Sequence, residues 1–176
     1  MKPFQRIVVV GVTGSGKTTF ARALATRLAC THIELDALHW LPGWQEKPAD
    51  DFRRDVAEAT ATDQWVIDGN YSVVRDIVWG RAQAAIWLDY PLRLILWRLM
   101  RRTTRRLLTQ EEIWNGNRET LRNQLRSDSL FIWALRTYPK YQRTYPVLFE
   151  QPEYQHLTVI RLTSPQAAEK WLEEML

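Results

Sequence analysis

Gly11-Val12-Thr13-Gly14-Ser15-Gly16-Lys17-Thr18 satisfies every fixed position of the pattern G-x-x-x-x-G-K-[ST], with a further glycine at Gly14. Its flanks give it meaning. Ile7-Val8-Val9-Val10 precedes it, a short β-branched run that reads as a buried parallel strand. Thr19 to Leu28 follows, with Phe20, Leu24 and Leu28 four residues apart on one helical face. Strand, glycine loop and helix make an anion nest, because glycines let the backbone turn tightly and aim successive N–H groups inward at the helix's positive end. Gly11, Thr13, Gly14, Ser15, Gly16, Lys17, Thr18 and Thr19 are therefore candidate polyphosphate contacts. In this pattern the lysine reaches the β- and γ-phosphates and the Thr18 hydroxyl ligates Mg²⁺, so ATP and Mg²⁺ are the expected cofactors. The competing reading, a glycine-rich turn that happens to carry a lysine, does not account for the complete pattern with both flanks in place.

A chain of 176 residues suits one domain with a real core, and its 45% hydrophobic and 25% charged shares are those of an ordinary globular protein. No apolar run approaches membrane-spanning length, and Met1-Lys2-Pro3-Phe4 leads straight to the first strand, so neither a membrane segment nor a signal peptide is expected. A lone cysteine, Cys30, cannot form an internal disulfide, which points to a reducing cytoplasm. The formal charge is +4, and nine arginines fall between Arg93 and Arg126. Arginine's planar fork suits phosphate oxygens, so this stretch is a candidate polyphosphate clamp; a solvated helix face and a nucleic-acid patch are the other readings.

Beyond the first helix, Thr31 to Asp36 reads as a strand ending in a carboxylate, and Ala37 to Trp44 as a turn-rich aromatic stretch. A helix is expected after Pro48, and Gln64 to Asp68 is the third strand, leaving Asp68-Gly69-Asn70-Tyr71 at its carboxyl end. Ser72 is positioned to cap a short helix, Ala84 to Asp89 is the fourth strand, and Leu92, Ile95, Leu96 and Leu99 mark a packed helix. A further helix is expected from about Arg118 to Leu135, with Tyr138-Pro139 and Tyr145-Pro146 ending helical structure. Leu157 to Leu162 is the fifth strand, and Pro165 to Leu176 the closing helix. Alternating strands and helices imply a parallel sheet covered on both faces, with ligands beyond the carboxyl ends of the strands. Asp36, Asp68, Asp89 and the glycine loop all fall at that edge.

These segments resemble the adenylate-kinase-related P-loop kinases. More narrowly, Ile33 to Trp40, Trp65 to Tyr71 and Trp114-Asn115-Gly116-Asn117-Arg118-Glu119 are similar to bacterial proteins labelled "DNA topology modulation protein", or FlaR-like. The resemblance implies an α/β P-loop NTPase three-layer sandwich. It has a five-stranded parallel sheet flanked by helices, in the manner of adenylate and shikimate kinases, with the third strand beside the first. One domain spans 1–176, with a short arginine-rich helical lid at about 101–128.

The resemblance also implies roles. Asp68 takes the place of the carboxylate that organises Mg²⁺ through water, with Asp89 as the rival strand-end carboxylate, whose other reading is a helix cap. Asp36 matches the carboxylate that holds an acceptor hydroxyl in shikimate-type kinases; a helix cap or salt bridge is its alternative. Arg98 and Arg102 fall where arginines close over the nucleotide, Arg118 and Arg122 are a second lid pair, and Thr163 lies where backbone groups hold the base. Nucleoside monophosphate kinases read Asp-Gly-Phe-Pro-Arg where this chain has Asp68-Gly69-Asn70-Tyr71-Ser72, so the acceptor-gripping arginine is missing unless Arg75 replaces it. Gly69, Asn70, Tyr71 and Trp40 complete the candidate acceptor pocket, with core packing as the competing role of the aromatics. The expected activity is phosphoryl transfer from a nucleoside triphosphate to a small molecule. The alternatives are a nucleotide-dependent binder of DNA or RNA and an NTPase acting on a protein partner.

Overall fold

A computed structural model describes residues 4–109, 111–118 and 130–175. Side chains alternate along β1 (Arg6–Gly11): Ile7 and Val9 enter one core, Val8 and Val10 the other. Burial on both faces is what a central parallel strand requires, and each such side chain stabilises the fold by about 2 kcal/mol. The strand lies between β5 (Trp65–Asp68) and β6 (Ala84–Leu88), with β2 (Thr31–Glu34) and β7 (Thr158–Leu162) at the edges. The order is β2-β5-β1-β6-β7 with every pair parallel, so the expected five-stranded sheet is present and its third strand in sequence, β5, neighbours β1.

One face is covered by α1 (Lys17–Leu28), α5 (Leu92–Thr109) and α7 (Pro165–Glu174), through Phe20, Leu24, Ile95, Leu99 and Leu172. The other is covered by α3 (Ala49–Ala59) and α4 (Arg75–Arg81), through Phe52, Val56, Val78 and Trp79. The register aligns Asp68 with both Val9 and Glu34, and Gly11 with Leu88, which brings the functional ends of the strands to one edge.

Four details differ from expectation. Asp36 does not end a strand: β2 stops at Glu34, and Asp36 sits in the short α2 (Leu35–His39), seated by the buried Leu35. Residues 40–46 form a small antiparallel hairpin, β3 (Trp40–Leu41) and β4 (Gln45–Glu46), around the Pro42-Gly43 turn. Ser72 opens a 3-10 turn, and α4 begins with Val74 in the cap position and no side-chain cap bond. Finally, α6 (Leu130–Phe149) runs through both Pro139 and Pro146 rather than ending at them. Each proline costs a helix interior about 3 kcal/mol. Here Ala134 and Tyr145 are fully buried, and Tyr145 packs between Trp79, Trp87, Phe149 and Tyr141 at centroid distances of 4.8 to 6.2 Å. Burial of that aromatic surface outweighs the lost backbone bonds. Residues 101–109 of the expected lid are the last turns of α5; its residues 119–128, including Arg122, lie outside the described residues.

Candidate active site

The glycine loop leaves β1 at Gly11 and returns to α1 at Gly16, closed by a bond from the Ser15 N–H to the Val12 carbonyl at 3.1 Å. Lys17 folds back over it, Nζ donating to the Val12 carbonyl at 3.2 Å. Burial pushes the Lys17 ammonium below its ordinary value, Asp68 and Asp36 pull it up, and Arg102 pushes it down. Lys17, Asp68 and Asp36 are thus within electrostatic reach of one another, although strand end, helix and loop carry them separately. Arg98 reaches the same loop from α5, donating to the Ser15 carbonyl at 2.8 Å, and its guanidinium lies 5.2 Å from the Tyr90 ring centroid.

The two strand-end carboxylates part company here. Asp89 is buried and taken: Arg161 Nε and Nη2 reach its Oδ2, at 2.7 and 2.5 Å, and the Gln142 amide donates to Oδ1. Asp68 is also buried, yet its Oδ2 has no hydrogen-bond partner, and His32 Nε2 stands 3.7 Å away, too far to donate. Ser15 Oγ is likewise buried without a partner. Such acceptors cost about 1–3 kcal/mol each when left unmade. Among the described residues no cluster of three or more acidic, cysteine or histidine ligands could cage a metal. Open carboxylate, hydroxyl-bearing Thr18 and phosphate nest therefore fit a hydrated divalent cation carried on phosphates, the usual mode for Mg²⁺.

Just after β5, Tyr71 O–H donates to Asp36 Oδ1 at 2.5 Å. Burial raises the Asp36 carboxyl above the usual carboxylate range; Tyr71 and Lys17 oppose this, and Asp68 and Glu34 add to it. Burial and the Asp36 carboxylate push the Tyr71 phenol up. Gly69 lets α2 approach the end of β5: its φ is +133°, and a Cβ there would sit 2.7 Å from Leu35 Cβ. Asn70 turns to the loop instead, its amide pairing with both peptide groups of Gly11. Arg75 lies over Trp79, 5.3 Å from the ring centroid, in a cleft shared with Leu35, Gly69, Tyr71 and Tyr145. Arg118 is exposed and paired with Glu112 at 2.8 Å, and Thr163 is an exposed residue just beyond β7.

Sequence reasoning assigned no task to Trp114–Asn117, yet these residues clasp the hairpin beside Asp36. Trp114 Nε1 donates to Glu34 Oε2 at 2.9 Å, and Asn115 Nδ2 to the Ala37 and Trp40 carbonyls at 3.2 and 2.5 Å. The buried Asn117 donates to the Leu41 carbonyl at 3.0 Å and accepts from the Trp44 N–H at 2.8 Å. The positive φ of Asn115, 54°, was foreshadowed by the Asn-Gly pair; the target of the clasp was not.

A family model described as an AAA domain matches residues 7–174. Among solved structures, a shikimate kinase from Acinetobacter baumannii superposes with a TM-score of 0.58 at 19% identity, over 97% of this chain and 90% of that one. A sugar kinase from Janibacter sp. HTCC2649 gives 0.54 at 22%, over 97% and 94%. A gluconokinase from Sinorhizobium meliloti 1021 gives 0.52 at 20%, over 97% and 93%. At these identities the likeness is one of fold. The uncharacterized protein YqaC of Bacillus subtilis strain 168 is 28% identical over 104 residues, and the chain spans 58% of its length. No helix among the described residues is long and apolar enough to cross a membrane.

Proposed function

We propose that this chain, which belongs to the AAA-domain family, transfers the γ-phosphoryl group of ATP to a hydroxyl of a small molecule. The observation that carries the reading is that Lys17, folded over the glycine loop, lies within electrostatic reach of Asp68 and Asp36, with Asp68 Oδ2 left without a hydrogen-bond partner. The likeness in fold to small-molecule kinases supports it.

Backbone amides of Gly14 to Thr18 and the Lys17 ammonium would bind the β- and γ-phosphates. Thr18 and Asp68 would hold Mg²⁺, directly and through water, and the bound ion supplies neutralisation of phosphate charge. The acceptor hydroxyl oxygen forms a bond to the γ-phosphorus as the bond from phosphorus to the ADP oxygen breaks. Asp36 orients the hydroxyl and takes its proton, with Tyr71 fixing the carboxylate. Arg98 and Arg102 meet negative charge on the transferring group. Trp40, Tyr71 and Arg75 form the acceptor wall, a proposal that leads away from an AMP-type acceptor.

The test is calorimetry with ADP and Mg²⁺, followed by a transfer assay against hydroxyl compounds. Lys17→Ala is expected to abolish transfer while leaving the unfolding temperature close to wild type. Unchanged turnover in that variant, or no heat from any nucleotide in the wild type, overturns the reading.

A further inference from the structure

The β1–β5 ladder runs out one step before the phosphate loop begins. Val9 is opposite Asp68, and the next bond, from the Gly69 N–H to the Val9 carbonyl, is already stretched to 3.5 Å as β5 turns away. Within a strand, the N–H and C=O of one residue point to the same neighbour. Those of Gly11 point to where β5 has ended. The Asn70 side chain fills that gap. Gly11 N–H donates to Asn70 Oδ1 at 3.4 Å, and Asn70 Nδ2 donates to the Gly11 carbonyl, so a side-chain amide serves as one more rung of the sheet. The clamped residue is itself constrained: Gly11 has φ +150°, and a Cβ there would lie 2.7 Å from the Leu88 carbonyl oxygen.

We infer that Asn70 is a positioning residue that fixes the start of the phosphate loop in register with the acceptor side of the site, an inference that rests on the phosphotransfer reading for its consequence. Four consecutive residues then do linked work. Asp68 faces the loop lysine, Gly69 admits α2, Asn70 holds Gly11, and Tyr71 holds Asp36. A shift of the loop against this strip would separate the donor phosphates from the acceptor carboxylate without unfolding anything. Displacements of that kind are costly because transfer needs close, aligned atoms.

An amide offers one acceptor and one donor toward a peptide group, and an apolar side chain of similar volume offers neither. The discriminating variants are therefore Asn70→Ala and Asn70→Leu, each compared with wild type for Mg²⁺–ADP affinity at one fixed pH. Asn70→Ala is expected to weaken ADP about tenfold. Asn70→Leu keeps the volume without the amide and is expected to lose as much. A merely space-filling role would leave Asn70→Leu close to wild type, and that result overturns the inference. Amide exchange in the nucleotide-free proteins gives a second reading: Gly11 is expected to be protected in the wild type and to exchange faster in Asn70→Ala, while Val8 and Val66 are unchanged. If the wild type binds no ADP, the phosphotransfer reading falls and the clamp stands or falls on exchange alone. An unprotected Gly11 amide in the wild type, or equal exchange in the variant, removes it.

Discussion

Tyr71 donates its hydroxyl hydrogen to Asp36 across 2.5 Å, tying the loop after β5 to the short helix after β2. The pair joins two segments that are 35 residues apart in the chain, and it opposes the effect of burial on the carboxylate proposed as the base. Burial favours the neutral acid; the phenol hydrogen bond favours the ionised form.

Removing that bond has a defined direction. In Tyr71→Phe the Asp36 carboxyl loses a group that holds its pKa down, so the acid limb of kcat/KM moves to higher pH, by about one unit for a hydrogen bond to a charged group. A pH–rate profile with the limb unmoved would show that Asp36 is not the base.

Asp36 also trades stability for its position. Its folded pKa is raised, so its contribution to stability is complete below the unfolded value of about 3.9 and is lost as pH rises through the folded value. Asp36→Asn keeps an acceptor oxygen for Tyr71 and removes a desolvated charge. At about pH 7 it is expected to stabilise the protein by about 1 kcal/mol while abolishing transfer, with the gain shrinking toward about pH 4. Thermal unfolding at the two pH values checks this; a variant less stable than wild type near neutrality contradicts it.

Asp68 and Asp89 are expected to fail in opposite ways. Asp68→Asn leaves the fold close to wild type, because Oδ2 has no hydrogen-bond partner in the protein, and reduces the Mg²⁺ dependence of ATP affinity. Asp89→Ala strands Gln142 and the half-exposed Arg161, and is expected to cost about 2 kcal/mol of stability with a smaller effect on Mg²⁺-dependent binding. Denaturant titration and calorimetry with and without Mg²⁺ separate the two.

Asn117→Ala removes buried bonds to Leu41 and Trp44 and so releases the clasp on the hairpin. The expected outcome is a local loosening: faster proteolysis within residues 111–118, a higher KM for any acceptor found, and nucleotide affinity unchanged. Equal cleavage rates in variant and wild type would show that the clasp does not hold that segment down.

The glycine loop, its flanking strand and helix, and the alternation of strands and helices were all legible in the chain, because each rests on local rules: backbone freedom at glycine, and apolar residues spaced by two or by four. Arg98 was picked out by the family resemblance, and in the structure it bonds the Ser15 carbonyl of the loop. Three features depended on contacts between distant segments. Asp68 and Asp89 look alike as strand-end carboxylates, and only the arrival of Arg161 and Gln142 occupies one and leaves the other open. Pro139 and Pro146 carry a local signal to stop, which aromatic burial around Tyr145 overrides. The sequence puts Asn70 in the candidate acceptor pocket; that its amide completes the sheet beside Gly11 follows from where β5 ends, and a strand's end is set by its neighbours rather than by its own residues.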